Sequence, residues 1–260
     1  MQIKIDNKAK LEVFVAIFQL LKSWSSFIGM RFEADGLHIQ CMDKSHVCLA
    51  NIDIHKKWFA NYETAEICTI ALDTSQFAVL INYALKNDVL EMQYDESKNA
   101  DIVYINFLNN KDNKESVNHY FELNLVEIEE ETVGIPPVDY DVEFVMETKR
   151  FVEILSELNA FGSDVHMKCD ENVVELYSNN DTTKLKICVP TDELDEYAIN
   201  ENQTLSLDFS LHHLFKMCTS LKLSKSVKVN LSNEYPLELA YDLGDESKVL
   251  FYVAPKVADA

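Results

Sequence analysis

The chain has 260 residues, 47% hydrophobic and 26% charged, enough for one large domain or two smaller ones with real cores. Its 44 acidic against 23 basic residues leave a formal charge of −21, which repels nucleic acid, anionic membranes and acidic partners unless the few cations are placed non-randomly. No run of ~18 apolar residues is present, so no membrane helix is expected, and the opening "MQIKIDNKAK" alternates like a strand and lacks the apolar core of an export signal.

In chain order, four segments place apolar residues at i, i+3, i+4 and i+7, the mark of a helix with one buried stripe. The first is "KLEVFVAIFQLLKSW", with Leu11, Phe14, Phe18 and Leu21 on the stripe. The second is "TSQFAVLINYALK", with Phe77, Leu80, Ile81 and Ala84. The third is "ETKRFVEILSELNAF", with Phe151, Ile154, Leu155 and Leu158. The fourth is "SLHHLFKMCTSLK", with Leu211, Leu214, Phe215 and Cys218. Each is followed by two alternating segments around a polar turn, such as "GMRFEADGLHIQCM" and "DVHMKCDENVVELYS". That pattern predicts antiparallel hairpins with one face buried.

The chain therefore reads as four helix-plus-hairpin units roughly 60 to 75 residues apart, grouped in two halves. Between the halves, "LVEIEEETVGIPPVDY" (Leu125–Tyr140) passes from a strand through acidic residues into Gly-Ile-Pro-Pro, where Pro136 and Pro137 stop regular pairing. It reads as an extended connector. The expected division is an N-terminal domain 1–124, a connector 125–138 and a C-terminal domain 139–260.

Cysteines 41, 48, 68, 169, 188 and 218 lie scattered in apolar segments with no CxxC pair, so reduced and mostly buried thiols are expected, with no metal site and no cofactor. The stretch "CMDKSHV" (Cys41–Val47) brings Cys, Asp, Ser and His together. Catalysis there would need an exposed thiolate within reach of the histidine. Cys41 instead continues the alternation of Leu37 and Ile39, which places it in the core, so no enzyme activity is expected.

The outer helix faces are unusual for so acidic a chain. The first offers Val15, Gln19, Lys22 and Ser26, with Glu12 near its start. The second offers Ser75, Val79, Asn82 and Lys86. The fourth offers His212, His213, Lys216 and Thr219. The third is mixed, with Lys149 and Arg150 beside Glu153 and Glu157. Lysine is common on helix surfaces by propensity alone. Alternatively, a surface kept nearly free of carboxylates suits mobile contact with a phosphate backbone, which positions without reading bases.

Three stretches resemble the proliferating cell nuclear antigen family of eukaryotic sliding clamps: "ADGLHIQCMDKSHVCLANIDI", "VGIPPVDY" and "LFYVAPK", in order and at fitting separations along essentially the whole chain. The resemblance implies an α+β DNA clamp fold. It has two similar domains, each with two helices packed on antiparallel sheets, assembled as a ring-shaped homotrimer around double-stranded DNA. It implies a DNA polymerase processivity factor, acting in replication and repair without reading sequence. DNA polymerase, clamp loader, flap endonuclease and DNA ligase would be recruited through PIP-box peptides, and no membrane would be engaged. The peptide pocket would be lined by Met42, His46, Val47, Leu49, Val133, Ile135, Pro136, Pro236, Tyr252, Ala254, Pro255 and Lys256. Lys22, Lys86, Lys149, Arg150, His212 and Lys216 would face DNA. Subunits would join near Ser116–Asn124 and Thr182–Val189, with Phe121, Leu158, Leu185 and Ile187 at the interface. The protein would work in a nucleus or at a viral replication site.

Departures from the family pattern point to a divergent member, from a virus or an unusual eukaryote, or to one subunit of a mixed ring. Glu153 and Ser156 stand where two arginines would fall, Val79 and Asn82 where two lysines would, and His212 replaces an arginine, while Lys22 matches. Asp170 stands where cellular members carry their regulatory ubiquitin- or SUMO-accepting lysine, with Lys168 nearby but unmatched. The alternative reading is a clamp-fold scaffold that binds peptides as a monomer or within a mixed ring.

Overall fold

A computed structural model describes residues 1–109, 117–129, 132–218 and 221–256. Residue contacts divide the chain into two compact units. The first comprises Met1–Lys44, Ala50–Val133 and Leu243–Val249; the second takes Ser45–Leu49, Gly134–Asp242 and the chain from Leu250 onward. The division is thus not one cut: short segments from each half belong to the other unit.

The first half carries β1 (Gln2–Ile5), α1 (Lys8–Leu21), β2 (Phe27–Phe32), β3 (Gly36–Met42), β4 (Cys48–His55), β5 (Asn61–Glu63), β6 (Cys68–Asp73), α2 (Thr74–Ile81), β7 (Val89–Gln93), β8 (Ile102–Leu108) and β9 (His119–Asn124). The second carries β10 (Val142–Glu147), α3 (Thr148–Asn159), β11 (Asp164–Cys169), β12 (Val173–Asn179), β13 (Lys184–Pro190), β14 (Glu196–Ile199), β15 (Leu205–Ser210), α4 (Leu211–Cys218), β16 (Ser226–Leu231), β17 (Leu237–Gly244) and β18 (Ser247–Val253).

In the first unit one sheet runs in the order β5-β1-β7-β8-β9, and β6, β2, β3 and β4 are successive neighbours in another. In the second unit β13-β12-β11-β15 form one sheet, and β14, β10, β16, β17 and β18 are successive neighbours. The four expected hairpins are all antiparallel: Arg31 pairs with His38, Glu91 with Asn106, Met167 with Leu176 and Val229 with Leu239. Gly36 follows the first turn for a steric reason. A Cβ there would lie 2.2 Å from the Ile54 carbonyl oxygen, so any side chain would push β3 and β4 apart.

Local chemistry starts the helices where the pattern begins. Asn7 caps α1 by accepting from the Ala9 and Lys10 amides, and Asp73 caps α2 by accepting from Gln76; such caps each stabilise by about 1 kcal/mol. The second helix is shorter than its pattern implies: α2 ends at Ile81 and continues as a 3₁₀ turn, Asn82–Leu85. At that junction the Ala78 carbonyl accepts from the Asn82 and Gln19 side chains.

The apolar stripes are buried as expected, with two corrections. Val15 is only 4% exposed and belongs to the core of the first unit, because α1 lies deep enough to bury an almost continuous run from Phe14 to Phe18. Phe215 is half-exposed; Met217, beside Leu214 and Cys218, fills that place in the second unit. In the first unit Phe14 meets Phe18 edge-on at 4.8 Å between ring centroids, and Phe18 meets Phe77 at 4.6 Å, which ties α1 to α2. Thr219 and Ser116 lie outside the described residues.

Candidate functional site

The outer helix faces are best taken one unit at a time. In the first, Gln19, Ser75, Asn82 and Lys86 are exposed, and Lys22 is exposed at the end of α1. Val79 is 62% exposed among them, an apolar side chain left largely open to solvent. Gln19 and Asn82 bond to each other at 3.1 Å. In the second, His212 is exposed and Lys216 half-buried on α4, with the His212 and His213 rings 5.5 Å apart. On α3 the cations are answered by carboxylates. Lys149 Nζ lies 3.8 Å from Glu153 one turn on, and Arg150 donates to Glu193 at 2.7 Å. Glu153 therefore partly neutralises Lys149, and Glu193 partly neutralises Arg150.

Two of the strands end their sheets. β9 is the edge of its sheet in the first unit and β13 the edge of its sheet in the second. On β9 the side chains of His119, Phe121 and Leu123 turn inward and those of Tyr120, Glu122 and Asn124 outward. Phe121 is half-exposed within an aromatic cluster, 5.1 Å from Tyr83 and 5.8 Å from Phe107. On β13, Leu185 and Ile187 are half-exposed and alternate with exposed Lys184, Lys186 and Cys188. Lys186 pairs with Glu175 at 2.5 Å, and Lys184 lies over the Tyr177 ring at 3.6 Å. Leu158 corrects the expectation of an interface residue: it is 0% exposed, held on the inner stripe of α3 with Phe151 and Leu155, and has no surface to offer a neighbour.

Of the residues expected at the peptide pocket, those in the second unit include His46, Val47 and Leu49 of the loop, the connector's Ile135 and Pro136, Pro236, and the tail. His46 is exposed with a left-handed φ of 55°. The Ala254 amide donates to the Val47 carbonyl at 3.3 Å, which brings loop and tail together. The Lys256 amide donates to the Asp208 carbonyl at 2.8 Å, and its ammonium reaches Asp164 at 2.7 Å, so this residue is fixed at both ends. Ile135, Pro136, Pro236 and Ala254 are exposed and Pro255 half-exposed, whereas Tyr252 is largely buried. In the first unit Met42 is half-exposed and Val133 exposed. Cys41 is 6% exposed, facing the core with Leu37 and Ile39 as the alternation implies.

A polar row that the sequence reading passed over lies on β3 and β4. His38 Nδ1 meets Asp53 at 2.8 Å and its Nε2 meets Asp35 at 3.1 Å. With a carboxylate at each ring nitrogen, both must carry protons. The hydrogen bond that His38 donates to Asp53 chiefly holds the His38 pKa up, to about 9, against partial burial, and the one it donates to Asp35 holds that carboxyl below its usual range. The donor atoms of Glu33, Asp35 and His38 lie close enough for a metal ion. A doubly protonated ring, however, has no lone pair to give. Among the described residues no helix is long and apolar enough to cross a membrane.

Comparison with known proteins agrees with this architecture unit by unit. The N-terminal domain description of proliferating cell nuclear antigen matches residues 7–132, and the C-terminal domain description matches residues 134–256. The chain is 26% identical over 232 residues to proliferating cell nuclear antigen of Chaetomium thermophilum, covering 86% of each protein. It is 21% identical over 256 residues to proliferating cell nuclear antigen 2 of Plasmodium falciparum, covering 95% of this chain and 97% of that one. Two domain matches in series, on a fold of paired helices and antiparallel sheets, establish that this chain belongs to the proliferating cell nuclear antigen family of sliding clamps.

Proposed function

We propose that three copies close into a ring around duplex DNA and act as a polymerase processivity factor. β9 of one copy would pair with β13 of the next, and the outer faces of α1 to α4 would line the hole. The observation that carries this reading is the near absence of carboxylates from the outer faces of α1, α2 and α4 in a chain of charge −21; Glu12 is the exception. Dispersed cations and amides hold a phosphate backbone without fixing register, which suits sliding. Two sheet edges, one with half-exposed Phe121 and the other with half-exposed Leu185 and Ile187, support strand pairing between copies, since an edge left bare is an aggregation hazard. The repulsion among three chains of −21 each has to be outweighed by that pairing and is eased by salt.

The same reading makes the Cys41–Val47 loop, the connector and the tail a peptide pocket for PIP-box segments of DNA polymerase, clamp loader, flap endonuclease and DNA ligase. Main-chain groups of such walls can pair with an extended peptide flank, and a methionine adapts to several partners. No catalytic role is assigned to any residue.

One observation favours a second reading. The ion pairs on α3 weaken the cationic lining, as suits a peptide-binding scaffold that works as a monomer or in a mixed ring. Replacing Lys22, Lys149 and Arg150 together with alanine separates the two. A DNA-encircling clamp loses its stimulation of processive synthesis while still binding a PIP-box peptide. A scaffold that does not close on DNA binds the peptide equally well before and after the substitution, and any effect it has on synthesis is unchanged.

A further inference from the structure

The connector carries two residues of the proposed pocket next to a backbone that is gripped from the sheet. Gln40 on β3 contacts Val133 twice: its Oε1 accepts from the Val133 amide at 2.6 Å, and its Nε2 donates to the Val133 carbonyl at 3.1 Å. The second proton of the same amide group is directed to Asn51 Oδ1 at 3.3 Å. Asn51 in turn donates to Asp53 Oδ2 at 3.0 Å, and Asp53 accepts from His38.

Each link sets the orientation of the next. His38, protonated between Asp35 and Asp53, makes Asp53 an acceptor only. Asp53 therefore receives the Asn51 NH₂ group and turns the Asn51 carbonyl toward Gln40. Gln40 must then present NH₂ to Asn51 and its oxygen to the Val133 amide. A flipped Gln40 would set oxygen against two acceptors and NH₂ against a donor. The row exists because His38 and Gln40 are two apart on β3, as Asn51 and Asp53 are on β4, so period-two alternation brings all four to one half-exposed face.

We infer that Gln40 is a positioning residue for partner binding: a two-point clasp on Val133, oriented by the Asn51–Asp53–His38 row, that pre-sets the connector for a PIP-box peptide. Fixing an extended segment in its binding conformation lowers the ordering cost of association. The inference rests on the peptide-pocket reading above.

The test uses the full chain, a fluorescein-labelled PIP-box peptide and amide hydrogen exchange. Gln40→Ala removes both bonds. Gln40→Glu keeps the acceptor for the Val133 amide but sets a carboxylate against the Val133 carbonyl. In Gln40→Ala, exchange at Val133 is expected to rise about tenfold or more while that at Ile39 and Ile52 holds, and peptide affinity to fall about five- to tenfold. Gln40→Glu is expected to weaken the peptide at least as much. Unchanged exchange at Val133 in Gln40→Ala overturns the clasp. Raised exchange with unchanged peptide affinity overturns its role in binding. If the unaltered chain binds no peptide, the pocket reading fails, positioning for binding fails with it, and the exchange data alone decide whether the clasp is real.

Discussion

Arg150, at the start of α3, donates to Glu193 across 43 positions of sequence at 2.7 Å, so one of the two cations in the first turn of the third helix is committed to a carboxylate of its own chain. Lys149 has a similar, looser answer in Glu153. Both pairs are surface-exposed and each is worth at most ~1 kcal/mol. Their consequence is therefore electrostatic. Glu153→Gln with Glu193→Gln is expected to leave the melting temperature nearly unchanged and to strengthen binding to duplex DNA. Each cation released to a phosphate should steepen the slope of log K against log salt by ~0.9. A titration at several salt concentrations reads this directly.

Leu158 and Ile187 should separate folding from assembly. Leu158 is fully buried within its own unit, and Leu158→Ala is expected to cost about 2–5 kcal/mol of stability through a cavity and lost burial. Ile187 stands half-exposed on an edge strand, and Ile187→Asp should leave the monomer folded while preventing strand pairing between copies. Denaturant unfolding and light scattering on each variant distinguish the two outcomes.

The His38 row gives the fold a pH dependence of known sign. The folded-state pKa of about 9 lies above the 6.5 of an unperturbed histidine, so the imidazolium contributes its full stability below about pH 6.5. That contribution is lost as pH rises through about 9. Asp35 acts oppositely: its carboxyl is held low, and its contribution is lost only in acid. The denaturation midpoint of the unaltered chain is expected to fall between about pH 6.5 and about 9 more than that of His38→Gln. Equal declines would show that the ring carries no stabilising charge.

The helices, the hairpins and the burial of Cys41 were legible because each follows from a period along the chain: 3.6 for Leu11, Phe14, Phe18 and Leu21, and 2 for Leu37, Ile39 and Cys41. Depth was less legible. Val15 sits at the margin of its stripe, and only the way α1 beds against its sheet decides that it is core. Phe215 and Met217 are both apolar and flank the Leu214–Cys218 stripe on opposite sides, so the fourth helix could be rotated either way until its sheet was placed. For Leu158 the helical period points to the inner stripe and the family resemblance to a subunit contact, and the packing of α3 settles it in the core.

The polar contacts were hidden for a different reason. Arg150 and Glu193, Lys256 and Asp164, and Gln40 and Val133 are joined by folding across 43 to 93 residues. No periodicity reports such pairs. Gln40 had a partial signal, since alternation already put it beside His38 on one face of β3. Its partner on the connector required the register of the fold.

Native mass in moderate salt, by light scattering on a sizing column at micromolar concentration, tests the ring most directly. A closed homotrimer gives a species near three times 29.9 kDa that persists on dilution. A species at 29.9 kDa would leave the fold and the proposal of a peptide pocket untouched but contradict the self-sufficient ring.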